Sequence, residues 1–488
     1  KIISKLSGNI IPQGSGGKSV KDYTDDYLLQ HYKDKTKRAF GNLTLRHVIK
    51  KSYKSIQSYK PCWMMSPYSV AKNLPKISNL FDLVVIDEAS QMPPEDSIGS
   101  MLRGKNIIIV GDNQQLPPTK FFEKIESEET EIEDESVLEQ AMVSFRPVNR
   151  LNWHYRSKHE SLIAPSNKEF YDNKLIVFPS PKIISRDDIN NDLGLTYEYV
   201  EDAEYQSGLN PIEADIIVDR AIEHMTRYKN DSLILVAMNK AQSELISQKY
   251  ETRKDQEYLQ DCYEFEEKWK NTVEPFEIKN LETVQGDERD AIIISTVYGK
   301  DKSGQVMQRF GPINKAYGHR RLNVLFTRAK KRNHVVSSLH PNDIRVDGKS
   351  SRGTKVFANF IEYAKTGNLN PGEIPDEKPE TPFEKEVKEI IENKGYEVKC
   401  QVGVAGYRID LAVKHPNWPD GFLAGIECDG ATYHSGNCAR DRDVARQKIL
   451  EGLGWNIHRI WSTDWFNNPN QTAEKMFNQL DNWMSKID

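Results

Sequence analysis

Two apolar runs that end in carboxylates do most to limit what this chain can fold into. Residues 81–86 read FDLVVI and lead into Asp87-Glu88; residues 107–110 read IIIV and lead into Gly111-Asp112, with Gln115 three residues on. Continuous apolar runs of this length fit parallel strands buried on both faces, whose polar ends collect at one sheet edge where ligands bind. An acidic pair closing a strand suits a nucleotide site. Asp87 would hold Mg²⁺ through water and Glu88 would polarise the attacking water. An α/β domain with acidic strand ends and no nucleotide is the competing reading; the GDxxQLPP pattern after the second strand weighs against it.

The strings DEAS (87–90) and GDNQQLPPT (111–119) resemble motifs of superfamily 1 helicases, in the branch that includes the nonsense-mediated-decay helicase. The resemblance extends over roughly residues 20–345. LNWHYRS (151–157) is similar to an element whose Arg reaches the γ-phosphate and whose Tyr stacks near the base, which implies those roles for Arg156 and Tyr155. LILVAMN (233–239), with Gln242, looks like the opening βα unit of a second motor domain and gives Asn239 no firm role. ETVQGDERD (282–290) resembles motif V. There Thr283 and Gln285 would touch the nucleic-acid backbone, Gly286 would let the main chain approach it, and Glu288 would couple that contact to the nucleotide. RRLNVLFTRAK (320–330) resembles motif VI, with Arg328 as the arginine finger and Arg321 in support; such a finger is worth about 10³–10⁵ in rate. PCWMMSP (61–67) resembles the segment before motif II that grips single-stranded backbone, with Ser66 as a phosphate donor that positions without reading sequence. By this resemblance ATP closes two RecA-like domains across Asp87, Glu88, Gln115, Arg156 and Arg328, and moves a single strand with 5′→3′ polarity.

A motor of this type needs a phosphate-cradling GxxxxGK(S/T). The nearest string is PQGSGGKS (12–19), where Pro12 stands in place of the first Gly and no convincing strand precedes it. A flexible Gly/Ser loop is the expected reading. The chain also begins at Lys1, so it reads as the C-terminal portion of a longer helicase, with the Walker A half upstream or on a partner subunit. On that reading this chain alone does not hydrolyse ATP.

A Pro-, Gly- and charge-rich stretch inside residues 366–382 reads as a linker. After it the pattern predicts an amphipathic helix to Lys394 capped by Gly395, strands near 398–404, 407–413 and 422–428, a helix over 439–453 and a strand over 455–461. Asp410 falls within one strand; Glu427 ends the next, and Asp429, two residues on, points the same way. Two or three converging carboxylates can bind Mg²⁺ for hydrolysis, with Asp410 and Glu427 as the metal ligands. GVAGYRIDL (403–411), IECDGATYH (426–434) and HRIWSTDW (458–465) resemble PD-(D/E)xK nuclease domains related to very-short-patch repair nucleases. The resemblance implies Glu384 as an accessory acid. The Lys of that motif is replaced by Asp429, which leaves His434, or else Gln447 or Lys448, to supply its function. A nuclease-like fold kept only for DNA binding is the alternative. Cys428, His434 and Cys438, with Cys400, also have spacing compatible with a structural zinc, against the plainer reading of buried apolar cysteines.

The expected architecture is α/β: an incomplete RecA-like domain (1–145), a second RecA-like domain (146–365), a linker (366–379) and a restriction-endonuclease-like domain (380–488). The expected chemistry is an ATP-dependent helicase joined to a Mg²⁺-dependent DNA endonuclease, in bacterial genome maintenance or defence against foreign DNA. An ATP-dependent remodeller and a scaffold with a dead motor are the alternatives. Net charge is −5, so DNA binding, as a single-stranded track and as duplex for cleavage, must come from local grooves; RNA stays open. Five scattered cysteines give no disulfide framework and favour a reducing cytoplasm, and no apolar run approaches a membrane span. The acidic run over 123–139 reads as a solvated connector and 255–270 as a helical insertion.

Overall fold

The computed structural model describes residues 44–118, 136–188, 190–369, 379, 381–403, 406–430 and 437–486. The Gly/Ser string at 12–19, His434 and most of the acidic run lie outside these residues. Two compact units meet at Val148 and Asn149.

The first unit contains α1 (Leu45–Tyr59), α2 (Pro67–Asn73), β1 (Phe81–Ile86), α3 (Pro94–Met101), β2 (Gly104–Ile109) and α4 (Val137–Ser144). β1 and β2 pair in parallel from Phe81↔Gly104 to Ile86↔Ile109. α3 starts on Pro94 with Glu95 and Asp96 in its first turn, which suits the positive end of a helix dipole. α4 starts in a capping box made by Ser136 and Glu139. The expected two-sided burial of these strands is not met among the described residues. The core is small (Ile86, Ala89, Val137 and Leu138), and Leu83, Val85, Ile107 and Ile108 are all exposed. Among the described residues the four helices of this unit do not cover both faces of the two strands.

The second unit opens with β3 (Trp153–His154), α5 (Ala164–Phe170) and β4 (Ile176–Val177). It continues with β5 (Gly194–Tyr199), α6 (Pro211–Arg227), β6 (Leu233–Ala237), α7 (Lys240–Gln256), α8 (Gln260–Trp269), β7 (Glu277–Asn280), β8 (Arg289–Ser295), α9 (Gly318–Phe326), β9 (Ala329–Ser337) and α10 (Arg352–Thr366). Five strands form an all-parallel sheet in the order β5-β9-β8-β6-β7. Ala214, Ile217 and Val218 of α6, Ile246 and Tyr250 of α7, and Cys262 and Phe265 of α8 cover one face. The charged 255–270 segment is thus largely helical; Phe265 enters the core and Trp269 packs against it, while Tyr258 and Tyr263 are exposed.

The nuclease-like part follows the expected order: α11 (Pro382–Asn393), β10 (Val398–Val402), β11 (Ile409–His415), β12 (Trp418–Asp429), α12 (Asn437–Leu453) and β13 (Ile457–Trp461). β10 to β12 run antiparallel and β13 joins β12 in parallel. Two helices that the sequence reading lacked, α13 (Ser462–Asn467) and α14 (Pro469–Met484), close the domain, and α14 buries Ala473, Met476 and Leu480 in its core.

Candidate nucleotide and nuclease sites

In the first unit the acidic pair sits where expected. Asp87 and Glu88 follow β1 and are exposed. Glu88 adopts φ +53°, a left-handed conformation that costs a non-glycine residue on the order of 1–3 kcal/mol and clusters at functional sites. Gln91 donates its amide to Glu88 Oε2 at 2.8 Å. The two strand ends are tied together, since Ala89 N–H donates to the Val110 carbonyl at 2.9 Å. Gln115 lies beside the second carboxylate, its Nε2 3.3 Å from Asp112 Oδ2. Ser66 has a local role the sequence reading did not assign: it is the N-cap of α2, and its Oγ accepts from Ser69 N–H at 3.3 Å.

In the second unit, motifs far apart in sequence meet. Arg156 Nε lies 3.3 Å from Glu288 Oε2, with both side chains partly exposed. Gly286 has φ +85° and open space where a Cβ would stand, so the turn itself calls for glycine there. Thr283 is tied to Asn280, accepting from its N–H at 3.1 Å. Gln285 Nε2 is buried and has no hydrogen-bond partner among the described residues. Arg289 is buried and holds the motif from below, donating to the carbonyls of Glu288 and Pro275. Arg328, the expected finger, follows the C-terminus of α9. It is 6 % exposed, and its Nε donates to the Val324 carbonyl at 2.9 Å, as basic side chains at a helix C-terminus often do; Arg321 is half-buried. Asn239 caps α7 by accepting from Gln242 N–H at 2.8 Å.

In the nuclease-like part the carboxylates converge on neighbouring strands. The registers Cys400↔Leu411 and Leu411↔Ile426 set Gln401, Asp410 and Glu427 in one row across β10, β11 and β12. Burial, and after it the Asp410 carboxylate, push Glu427 up to about 8. Asp410 Oδ2 accepts from Cys428 N–H at 2.7 Å. Glu384 is buried, receiving Thr381 Oγ1 at 2.8 Å and Gln401 Nε2 at 3.1 Å. Asp429 pairs instead with Arg459 of β13, at 3.2 Å. Gln447 donates to Glu451 within α12. Burial and the surrounding carboxylates Asp410, Glu384, Glu427 and Asp429 hold the Cys428 thiol protonated. Among the described residues no group of three or more His, Cys, Asp or Glu is placed to hold a metal ion; both Asp410 and Asp429 lie near enough to Glu427 to push its carboxyl up. Gln401, Tyr407 and Arg459 belong to this site and escaped the sequence reading. Arg459 comes to the site through the parallel register Glu427↔Arg459, which nothing in the local sequence marks. No helix among the described residues is long and apolar enough to cross a membrane.

A parallel-sheet domain carrying helicase-like motifs is joined to a mixed sheet with a carboxylate pair on neighbouring strands. Comparison with known families agrees. Two AAA domain models match residues 68–123 and 133–340, and the REase_MTES_1575 model matches residues 383–480. The chain carries AAA-type helicase domains of the superfamily 1 kind followed by a restriction-endonuclease-like domain. It is 29 % identical over 464 residues to an uncharacterized ATP-dependent helicase of Mycoplasma pneumoniae and 30 % identical over 468 residues to one of Mycoplasma genitalium, each match covering 88 % of this chain. An uncharacterized ATP-dependent helicase of Methanocaldococcus jannaschii is 27 % identical over 304 residues, covering 59 % of this chain and 39 % of that protein. The chain spans 40 % of the length of the two Mycoplasma relatives.

Proposed function

We propose that this chain belongs to an ATP-driven superfamily 1 translocase whose restriction-endonuclease-like domain cuts DNA with Mg²⁺, in bacterial genome maintenance or defence against foreign DNA. The observation that carries the nuclease reading is the facing pair Asp410 and Glu427. Burial first, and the neighbouring Asp410 carboxylate second, disfavour the charged form of Glu427, and a hard divalent cation would relieve both. Their oxygens suit Mg²⁺, which when bound would activate water and neutralise the leaving oxyanion. Glu384 holds Gln401 against this row. Arg459 brings a permanent positive charge beside Glu427, suited to stabilising phosphate charge but not to acting as a base, since its guanidinium keeps its proton. His434 stays the candidate for the proton-transfer role of the missing lysine.

For the motor, Asp87, Glu88, Gln115, Arg156, Arg321, Gly286, Glu288 and Arg328 are proposed to serve ATP turnover. The Arg156–Glu288 pair supports that assignment, and the unsatisfied Gln285 amide supports a phosphate-contacting role for its segment.

The test is Mg²⁺-dependent cleavage of single- and double-stranded DNA by this chain beside Asp410→Ala. Cleavage that disappears in the variant supports the nuclease. Cleavage that survives removes Asp410 from the chemistry, and a wild-type chain that is inert in the full-length protein with ATP leaves a DNA-binding domain. For the motor, Glu88→Gln in the full-length protein should abolish ATP turnover; an unaffected rate refutes the assignment.

A further inference from the structure

The nuclease-like domain is set into the second helicase-type domain. Residues 181–183 pair with the start of β12: Ile183 N–H donates to the Asp420 carbonyl at 2.8 Å and Phe422 N–H to the Pro181 carbonyl at 2.9 Å. Trp455 Nε1 donates to the Pro179 carbonyl at 2.8 Å, with both residues buried. Phe178, from the helicase side, lies in one hydrophobic cluster with Ile409, Phe422, Leu450 and Trp455 of the nuclease side.

Within this seat a short side-chain path leads to the carboxylate pair. Trp153 of β3 meets the Phe178 ring edge-on at 5.9 Å. Phe178 lies 5.0 Å from the Tyr407 ring. The Tyr407 hydroxyl donates to Glu427 Oε1 at 2.9 Å. The loop before Tyr407 is pressed on β4: a Cβ on Gly406, which has φ +71°, would stand 3.1 Å from Ile176 Cγ1. Only two residues separate Trp153 from Arg156, which meets Glu288.

We propose that Tyr407 is a positioning residue for Glu427 and that the helicase-type domain sets it through Phe178, so that metal binding by the nuclease-like domain depends on this contact. The inference rests on the proposed nuclease reading and adds its regulation. A hydroxyl donated to one carboxylate oxygen fixes that carboxylate's orientation, and removing such an outer partner commonly weakens metal binding by about 10- to 100-fold. Phe178 makes no hydrogen bond to Glu427, so any effect it has must pass through the ring it packs on.

The experiment is direct Mn²⁺ titration of the full chain, followed by calorimetry and by the electron paramagnetic resonance signal of free Mn²⁺. The proteins are wild type, Tyr407→Phe, Phe178→Leu, the double variant, Trp455→Phe and Asp410→Ala. Tyr407→Phe keeps the ring and loses the hydroxyl, and should weaken binding roughly tenfold or more. Phe178→Leu should weaken it in the same direction, and the double variant should be no worse than Tyr407→Phe, because the two act in one path. Trp455→Phe removes a different interface bond and should leave affinity within about twofold of wild type. Wild-type affinity in Tyr407→Phe, additive losses in the double variant, or an equal loss in Trp455→Phe each overturn the proposal while leaving the nuclease standing. Mn²⁺ binding that is absent from wild type, or indifferent to Asp410→Ala, overturns the nuclease reading and this inference with it.

Discussion

Two of the parallel sheets among the described residues, β1–β2 and the five-stranded sheet, are built on aliphatic runs and meet opposite fates. β6, reading LILVA, is buried throughout, with Leu235 at 0 % exposure. β1 and β2 leave Val85 at 55 % and Ile108 at 48 %. Each carries a run of aliphatic residues, although β1 also holds Asp82 and β2 Lys105 and Asn106; the layers around them differ as well. In the second unit three helices cover one face of a five-stranded sheet, whereas in the first unit two strands meet only short helices among the described residues. Burying a large aliphatic side chain stabilises by about 1.5–3 kcal/mol, and that gain belongs to the partner layer as much as to the strand.

This contrast can be broken by substitution. Leu235→Ala should destabilise the second unit by about 2–5 kcal/mol, read as a lower urea midpoint at unchanged slope. A loss under 1 kcal/mol would mean that its strand is not packed as described.

A second measurement sharpens the difference through charge. Glu213 of α6 is fully buried and accepts from Ser295 Oγ and Val297 N–H, both at 2.7 Å. Burial, partly offset by those hydrogen bonds, pushes its carboxyl up to about 7. The folded state therefore holds its proton to higher pH than the unfolded chain. Its contribution is fully present below the ordinary carboxyl range and is lost as pH rises through about 7, a change of about 3 kcal/mol. Melting the second unit between pH 4.5 and 8 should show that decline, and Glu213→Gln should flatten it. An unchanged slope in the variant would place the titration elsewhere.

The smallest effect belongs to the first sheet. Ile108→Ala should cost less than about 1 kcal/mol, because an exposed side chain leaves little cavity behind. A cost matching that of Leu235→Ala would show that something covers β2 in solution and would erase the contrast.

The order of domains was legible because each motif is local. DEAS, ETVQGDERD and GVAGYRIDL each hold their informative residues within one turn or strand end. The α-β-β-β-α-β order was legible from periodicity and from Gly395. Contacts between distant segments were not. Phe178 lies 229 positions from Tyr407, and nothing in either neighbourhood marks the other. Arg328 read as a finger from its motif, yet its burial depends on how α9 packs. Asp429 read as a third catalytic carboxylate by strand parity; that the parallel partner β13 brings Arg459 to it was not readable locally. Ser66 and Asn239 are N-caps whose residue types suit that role, a local signal the sequence reading did not use.

The annexed edge of β12 also bears on distance. A nuclease hung from a Pro- and Gly-rich leash would sample a range of reaches and leave ends of scattered length. Here residues 181–183 serve as an extra rung on the nuclease sheet, and Trp455 is anchored to Pro179. The separation between the Arg156–Glu288 pair and the Asp410–Glu427 pair is therefore a property of one folded body. In the proposed helicase–nuclease this unit works as a ruler, and its cuts should fall at a constant offset from the second helicase-type domain.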